Sequence, residues 1–551
     1  MSGASYVLCI FTLCCITSWP RPGAVQLAGG AIAGEVRDTN GAPMPMATIR
    51  AISLEGKGER TVVAGDDGRF LVDKIDAGRF HLSATRPGYL TADFGALRSG
   101  FAGSPISVSS GELVRGLVIT LVRGAVIKGT IRTGDGLGAS RIPVALLQYR
   151  ITARGERVLM PITSTSTDEV GRFVFMDVAV GPYVIRASTR SLVLSNADDP
   201  QHPRAYAPTY YPGTVWAASA RAVRVTQPEE TVDLGFELVT STLSQVTGRV
   251  TRVDGAPTTL RPSDLLIYTT LDGKIDAPLT TKAIVDADRF VFEGLFPGTY
   301  FVKAVGTPGN DGVVPSALAS FSIIDGSTST VFLVLSPTPV VSGYCRFEEQ
   351  GAQRAVQLQV SLFPELANGF AAYPPASTTT RPDGSFEFQG LIPGRYRIEA
   401  RPLVAGRVFS RDWAVRSISI GDEISEIGTI DVPADRTIPQ LRVSLTTRLS
   451  EVTGTLLDAA GQLATSQTVI IFPSDKRLWA AGGRMISSAR PDQNGVFVVR
   501  GLPKGDYNVA TLLDPEPNEW LQPELLSTLN VSARLQIRGD ERIRVDVRLA
   551  K

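Results

Sequence analysis

The stretch Arg289–Ala304, RFVFEGLFPGTYFVKA, has four near copies elsewhere in the chain. They read RFLVDKIDAGRFHLSA at 69–84, RFVFMDVAVGPYVIRA at 172–187, SFEFQGLIPGRYRIEA at 385–400 and VFVVRGLPKGDYNVAT at 496–511. Aligned on their phenylalanines, Phe70, Phe173, Phe290, Phe386 and Phe497, the copies recur roughly every hundred residues. Each has a glycine eight positions on, at Gly78, Gly181, Gly298, Gly394 and Gly505. An aromatic follows two further, as Phe80, Tyr183, Tyr300, Tyr396 and Tyr507. Constant spacing inside the unit and variable spacing between units predict a repeated domain joined by elastic loops.

Within a copy the apolar residues alternate, as in Phe290, Phe292 and Leu295, then Tyr300, Val302 and Ala304. That is the period of a half-buried strand. The FPG and IPG sequences predict a type II turn between two strands, with Gly298 and Gly394 at positive φ. A second turn precedes each Phe, in GDDGRF, DEVGRF, DADRF, PDGSF and DQNGVF. Its left-handed position falls two residues before Phe, on Gly in four copies and on Asp288 in the third. The carboxylates there suggest calcium, but each copy offers only one or two against the six to eight oxygens calcium takes, so turn capping is expected.

Outward from this core, each unit opens on a strand carrying a glycine, at Gly34, Gly129, Gly248, Gly343 and Gly454. Each closes on another alternating run, such as LVITLV, VFLVLS or IRVDVRL. Many short strands with turn signals between them and no helical period predict an all-β chain of five tandem antiparallel Ig-like sandwiches. The expected boundaries are 30–123, 124–241, 242–337, 338–448 and 449–551. With almost no linker between them, a rod or gently curved array is predicted.

The pattern G-x-V followed by D-x-x-G-x-F-x-F-x-x-L-x-x-G-x-Y resembles the carboxypeptidase regulatory-like domain. That resemblance implies a transthyretin-like or carbohydrate-binding-like sandwich, over nearly all the chain after residue 30. It implies no activity, since such domains accompany many unrelated catalytic and transport modules. Adhesin-type relatives of the fold can carry a Lys to Asn or Asp isopeptide bond at one fixed place per unit. Here only Lys128 lies in an opening strand and residues 338–448 hold no Lys, so a repeated crosslink is not expected.

The 551 residues balance Lys+Arg 55 against Asp+Glu 54, which leaves no concentrated basic field for nucleic acid or an anionic membrane. Residues 1–29 read as a leader. An apolar run from Tyr6 to Trp19 has the length of a secretory h-region and is too short to span a bilayer. No Lys or Arg precedes that run, and Ala24 or Ala28 would precede the cleavage point. An exported protein follows, periplasmic, outer-membrane-associated or extracellular, with no membrane span in the mature chain. Cys9, Cys14 and Cys15 fall in the leader, which leaves Cys345 alone in a strand-like stretch, as a small buried hydrophobe.

Groups for chemistry are sparse. The two histidines, His81 and His202, lie in different units, His81 on a strand facing solvent and His202 in a loop near Asp198 and Asp199. No zinc-ligand spacing, nucleophile elbow or phosphate-binding glycine loop occurs. The expectation is a non-catalytic protein with no cofactor and no metal. The binding candidate is the insertion HPRAYAPTYYPGTVWAASA at 202–220. There Tyr206, Tyr210, Tyr211 and Trp216 each pair an apolar face with a polar handle, and Arg204 adds a hydrogen-bonding fork. The competing reading folds these rings back over an open sandwich end, and Trp413 and Trp520 pose the same alternative. The function expected is binding or adhesion, with a glycan or an envelope protein as partner. The alternatives are a structural spacer or an accessory to a separately encoded outer-membrane transporter or hydrolase.

Overall fold

A computed structural model describes residues 29–549, apart from 57, 189–192, 195–202, 272–273, 280, 282, 310–312, 325, 339, 350–356, 366–374, 403–412, 426–427, 434–437 and 439. Residues 1–28 of the expected leader, and His202 with Asp198 and Asp199, therefore lie outside the described residues. The regular elements of the rest are strands but for four short 3-10 turns and one four-residue helix, and no helix in it is long and apolar enough to cross a membrane.

Every copy builds two facing sheets. The opening strands, Gly30–Asp38, Ala125–Arg132, Ser244–Arg252, Val341–Phe347 and Glu451–Leu457, each sit inside the first sheet. On one side the opening strand pairs antiparallel with the strand bearing the repeated Phe. On the other it pairs with the closing strand, and that pairing is parallel in all copies. The sheets are thus antiparallel apart from this one pair, because the chain crosses to the second sheet and back before it closes. The second sheet carries the glycine-led strands Gly78–Thr85, Gly181–Ala187, Gly298–Val305, Gly394–Pro402 and Gly505–Leu513. Inward positions of both sheets fill one large buried cluster per copy.

The opening-strand glycine and the repeated Phe are one device. Gly34, Gly129, Gly248, Gly343 and Gly454 stand in register opposite Phe70, Phe173, Phe290, Phe386 and Phe497. A Cβ on Gly248 would lie 2.1 Å from Cζ of Phe290, and on Gly343 2.5 Å from Cζ of Phe386. The glycine is required for space: the ring is the nearest obstruction in these two copies, whereas at Gly34, Gly129 and Gly454 the carbonyl oxygens of Leu117, Leu234 and Val545 come nearer still, with the ring at 2.7–2.9 Å. The repeated Tyr is a second device. The hydroxyls of Tyr183, Tyr300, Tyr396 and Tyr507 donate to the carbonyls of Ala179, Phe296, Ile392 and Pro503, each four residues back, at 2.8, 2.7, 2.6 and 2.9 Å. A buried hydroxyl thereby ties the start of its own strand. Burial pushes the Tyr300 hydroxyl up to about 12.

The turn expectations need correction. The predicted type II turn is absent: Gly298 is not left-handed, and Gly394 has φ 155°, far from the roughly +80° of that turn. The left-handed residue comes four positions after each Phe, at Lys74, Asp177, Gly294, Gly390 and Gly501, with φ between 53° and 79°. In the first three copies the antiparallel register slips there, so the kink is a β-bulge that bends the strand toward the crossing. In the third copy the turn before Phe is one residue shorter, and Ala287 rather than Asp288 takes positive φ, at 52°. Asp288 instead accepts from Arg249 Nε at 2.6 Å.

The rod expectation also fails, because the two ends of the array touch. Gln493 exchanges two hydrogen bonds with the backbone of Ser107, at 2.9 and 2.7 Å, and Ser107 Oγ donates to Asp492 at 2.6 Å. Arg490 donates to the carbonyls of Ala102 and Gly95 at 2.8 and 3.1 Å. Arg98 pairs with the Asp514 carboxylate and donates to its carbonyl at 2.9 Å. The hairpin tip of the second copy, around Thr152–Glu156, reaches both the fifth and the fourth copies. Asn518 Nδ2 donates to the Ile151 carbonyl at 2.9 Å, and the Arg154 guanidinium lies 4.0 Å from the ring centre of Phe363. Side chains with no local pattern in the sequence thus close the array on itself.

Candidate functional site

The insertion of the second unit is anchored before it is presented. Arg204–Tyr206 pairs antiparallel with Val193–Leu194 and with Thr240–Thr242. Thr209–Tyr210 pairs with Arg186–Ala187, and Val223–Val225 returns to pair with Gly181–Tyr183 on the same strand. Between them the chain leaves the sheet, turning through Ala217–Ser219. Thr209, fully buried, bridges the anchor by donating to the Ala207 carbonyl at 2.8 Å and accepting from Val239 N at 3.0 Å.

The five candidate residues part company here. Tyr206 is buried in the main cluster of the second unit, beside Val223 and Phe236. Tyr210 is buried on the opposite face of the second sheet, against Leu147, Leu159 and Val184, with Ala217 and Ala220 closing over that cluster. Both rings are scaffold and cannot meet a ligand without leaving the interior. Tyr211 is half-buried, edge-on to Phe236 at 5.9 Å, and Arg221 donates to its hydroxyl while lying 5.0 Å from its ring centre. Arg204 is exposed, and Trp216 is 46% exposed, its backbone N donating to Thr214 Oγ1 at 3.2 Å. The surface retains Arg204, the rim of Tyr211 and Trp216.

The other candidates resolve plainly. Trp413 is half-buried against Phe347, with ring centres 6.1 Å apart, and Trp520 packs on the cluster of Phe472 and Trp479. His81 lies on the outward face of its strand, between the buried Phe80 and Leu82, 30% exposed and with its Nε2 3.0 Å from the Asp93 carboxylate. Cys345 is buried, and desolvation pushes its thiol up to about 12. Among the described residues no group of three or more His, Cys, Asp or Glu gathers as metal ligands would. The sequence signal for the Tyr210 cluster was the unbroken apolar pair Val184–Ile185. In a strand such a pair marks burial on both faces.

Residues 31–122 match the carboxypeptidase regulatory-like domain. The match spans the first copy alone; the Gly34–Phe70 pairing found there has a counterpart in each of the other four copies. No curated protein matches the chain. Among solved structures, the chain is similar to the Bacillus anthracis TIE protein at 11% identity, over 77% of this chain and 74% of that one, with a TM-score of 0.16. It is similar to a streptococcal ancillary pilin at 12% identity, over 55% and 98%, with a TM-score of 0.19. The full-length RrgB pilus protein of Streptococcus pneumoniae gives 9% identity over 78% and 98%, with a TM-score of 0.16. Likeness at this level says nothing about activity.

Proposed function

We propose that the chain is a non-catalytic exported binding or adhesion protein, using no cofactor. It comprises a leader at 1–29 and five sandwich units at 30–123, 124–241, 242–337, 338–448 and 449–551. Its contact surface is the insertion of the second unit, and its partner is a carbohydrate or a cell-envelope protein. The observation that carries the reading is Trp216. A large ring stands half exposed on a loop whose neighbours Tyr206 and Tyr210 are locked into the interior on opposite faces of the unit. A rigid frame lowers the ordering cost of binding, and an indole stacks well on a sugar face or fills a partner's pocket. Arg204 and the Tyr211 rim supply polar contacts around it. The spacer alternative loses ground, because the contacts between residues 95–107 and 490–514 shorten the molecule.

The test uses the chain without residues 1–29 on a glycan array and in an envelope pull-down, beside its Trp216→Ala and Arg204→Ala variants. Partners retained by the parent and lost by both folded variants support the surface. Unchanged capture by both variants removes it.

A further inference from the structure

Behind the Trp216 loop the second and fifth units enclose a cleft of about 540 Å³, within the roughly 300–1,000 Å³ range of small-molecule sites. One wall belongs to the second unit and bears Gln148, Arg157 and Arg224; the other comes from the fifth and bears Glu516, Glu519 and Gln522. The hydrogen bond from Asn518 to the Ile151 carbonyl clamps the two walls at one end. Each wall is stiff. The Arg157 guanidinium lies 3.7 Å from the ring centre of Tyr149, and Glu519 accepts from Glu516 N at 2.8 Å. Gln148 is 9% exposed, and its buried Oε1 has no hydrogen-bond partner among the described residues.

Two guanidinium groups face two carboxylates, so the cleft has no net charge to attract a polyanion or a polycation. Beside the phenols of Tyr149 and Tyr183, its polar side chains are planar forks of amide, carboxylate or guanidinium, which can each engage two neighbouring hydroxyls. Ala217, Ala218, Ala220 and Ala222 also line the cleft and, with Ile151, Pro182 and Val184, give it apolar surface. Planar hydrogen-bonding forks around apolar surface suit a pyranose ring, which has an apolar C–H face and a polar rim. We infer that this inter-unit cleft binds a short neutral oligosaccharide. The inference rests on the reading of the chain as a binding protein and places a site for its ligand behind Trp216. Because both units build the walls, an occupant also holds the closed array together.

The test is calorimetric titration of the full mature chain with maltotetraose, cellotetraose and chitotetraose. A sulfated tetrasaccharide and a neutral tetrapeptide pool serve as competitors for the assignment. At least one neutral tetrasaccharide should bind. Arg224→Ala and Gln522→Ala, one from each wall and each checked for native circular dichroism, should weaken it at least about tenfold, the loss expected for a hydrogen bond to a charged or well-placed group. Saturation should slow hydrogen exchange at 514–526. The inference is overturned if none of the three binds, if only the sulfated sugar or the peptides bind, or if both variants bind as the parent does. Loss of binding in Trp216→Ala with none in the two cleft variants would sink the cleft and leave the surface reading standing.

Discussion

Replacing Gly248 by Ala tests the pairing of glycine and ring most directly. The new methyl would come 2.1 Å from Cζ and 2.4 Å from Cε1 of Phe290, and 2.8 Å from the Val331 carbonyl oxygen. Phe290 is 1% exposed and edge-on to Phe292 at 5.8 Å, so its ring has no vacant space to enter. Overpacking of this kind costs about 1–3 kcal/mol, while Phe290→Ala costs about 3–5 kcal/mol through lost burial and the cavity. In the double variant the worst clash is gone and the methyl occupies part of that cavity. Its cost should therefore fall short of the sum by about 0.5–3 kcal/mol. In the fifth copy a Cβ on Gly454 would meet the Val545 carbonyl oxygen at 1.8 Å, nearer than Cζ of Phe497 at 2.7 Å. Backbone cannot rotate aside as a ring does, so the same cycle there should show less rescue. Several units unfold in one chain, and a single global midpoint would mix them. Native-state hydrogen exchange on peptides covering 244–252 and 289–295 of the full chain reads the local free energy instead. Additive costs in the third copy, or equal rescue in both copies, would refute the spatial account.

Three further outcomes follow from the same contacts. For Tyr300 the folded hydroxyl is raised to about 12 against about 10 unfolded, so the native state keeps an extra proton between those values. Stability is therefore full below pH 10 and declines toward pH 12, by about 2–3 kcal/mol; phenolate absorbance should show a late component that Tyr300→Phe reduces by one tyrosine, the buried Tyr183, Tyr268 and Tyr507 supplying the rest, and identical titrations would exclude the assignment. Cys345, buried and with its thiol raised to about 12, should resist a thiol reagent at pH 8 in the leaderless chain and react fully in denaturant; rapid native labelling would contradict its burial. Arg98→Ala with Arg490→Ala removes four hydrogen bonds between the chain's ends. The radius of gyration from X-ray scattering should rise, whereas a parent that already scatters as a rod would disprove closure.

Local periodicity alone settles much of this protein. Alternation at Phe290, Phe292, Tyr300 and Val302 specifies strands and their inward face, because side chains in a strand alternate sides whatever lies beyond them. The five recurrences announce a repeated all-β unit for the same reason. What faces Gly248 is a matter of register with a strand some forty residues away, so its role as the seat of the Phe290 ring emerges only once the sheet is assembled. The left-handed position four places after each Phe is hidden in part. Gly294, Gly390 and Gly501 fill it in three copies and Asp177, which tolerates the conformation, in a fourth, but in the first it is Lys74, a residue with no turn signature, held there by the bulge.

The insertion shows the limit most sharply. Its composition marks Tyr206, Tyr210, Tyr211 and Trp216 as a group, yet a tyrosine is equally suited to an interior and to a surface. Only the sheet that Tyr210 joins, covered on its outer face by Ala217 and Ala220, assigns it inward while Trp216 stays out. Contacts between the first and last units, and the cleft between the second and fifth, depend on how whole domains lean on one another. That is decided by isolated side chains such as Arg490, Gln493 and Asn518 meeting backbone carbonyls hundreds of residues away, a meeting that leaves no period or motif in the chain.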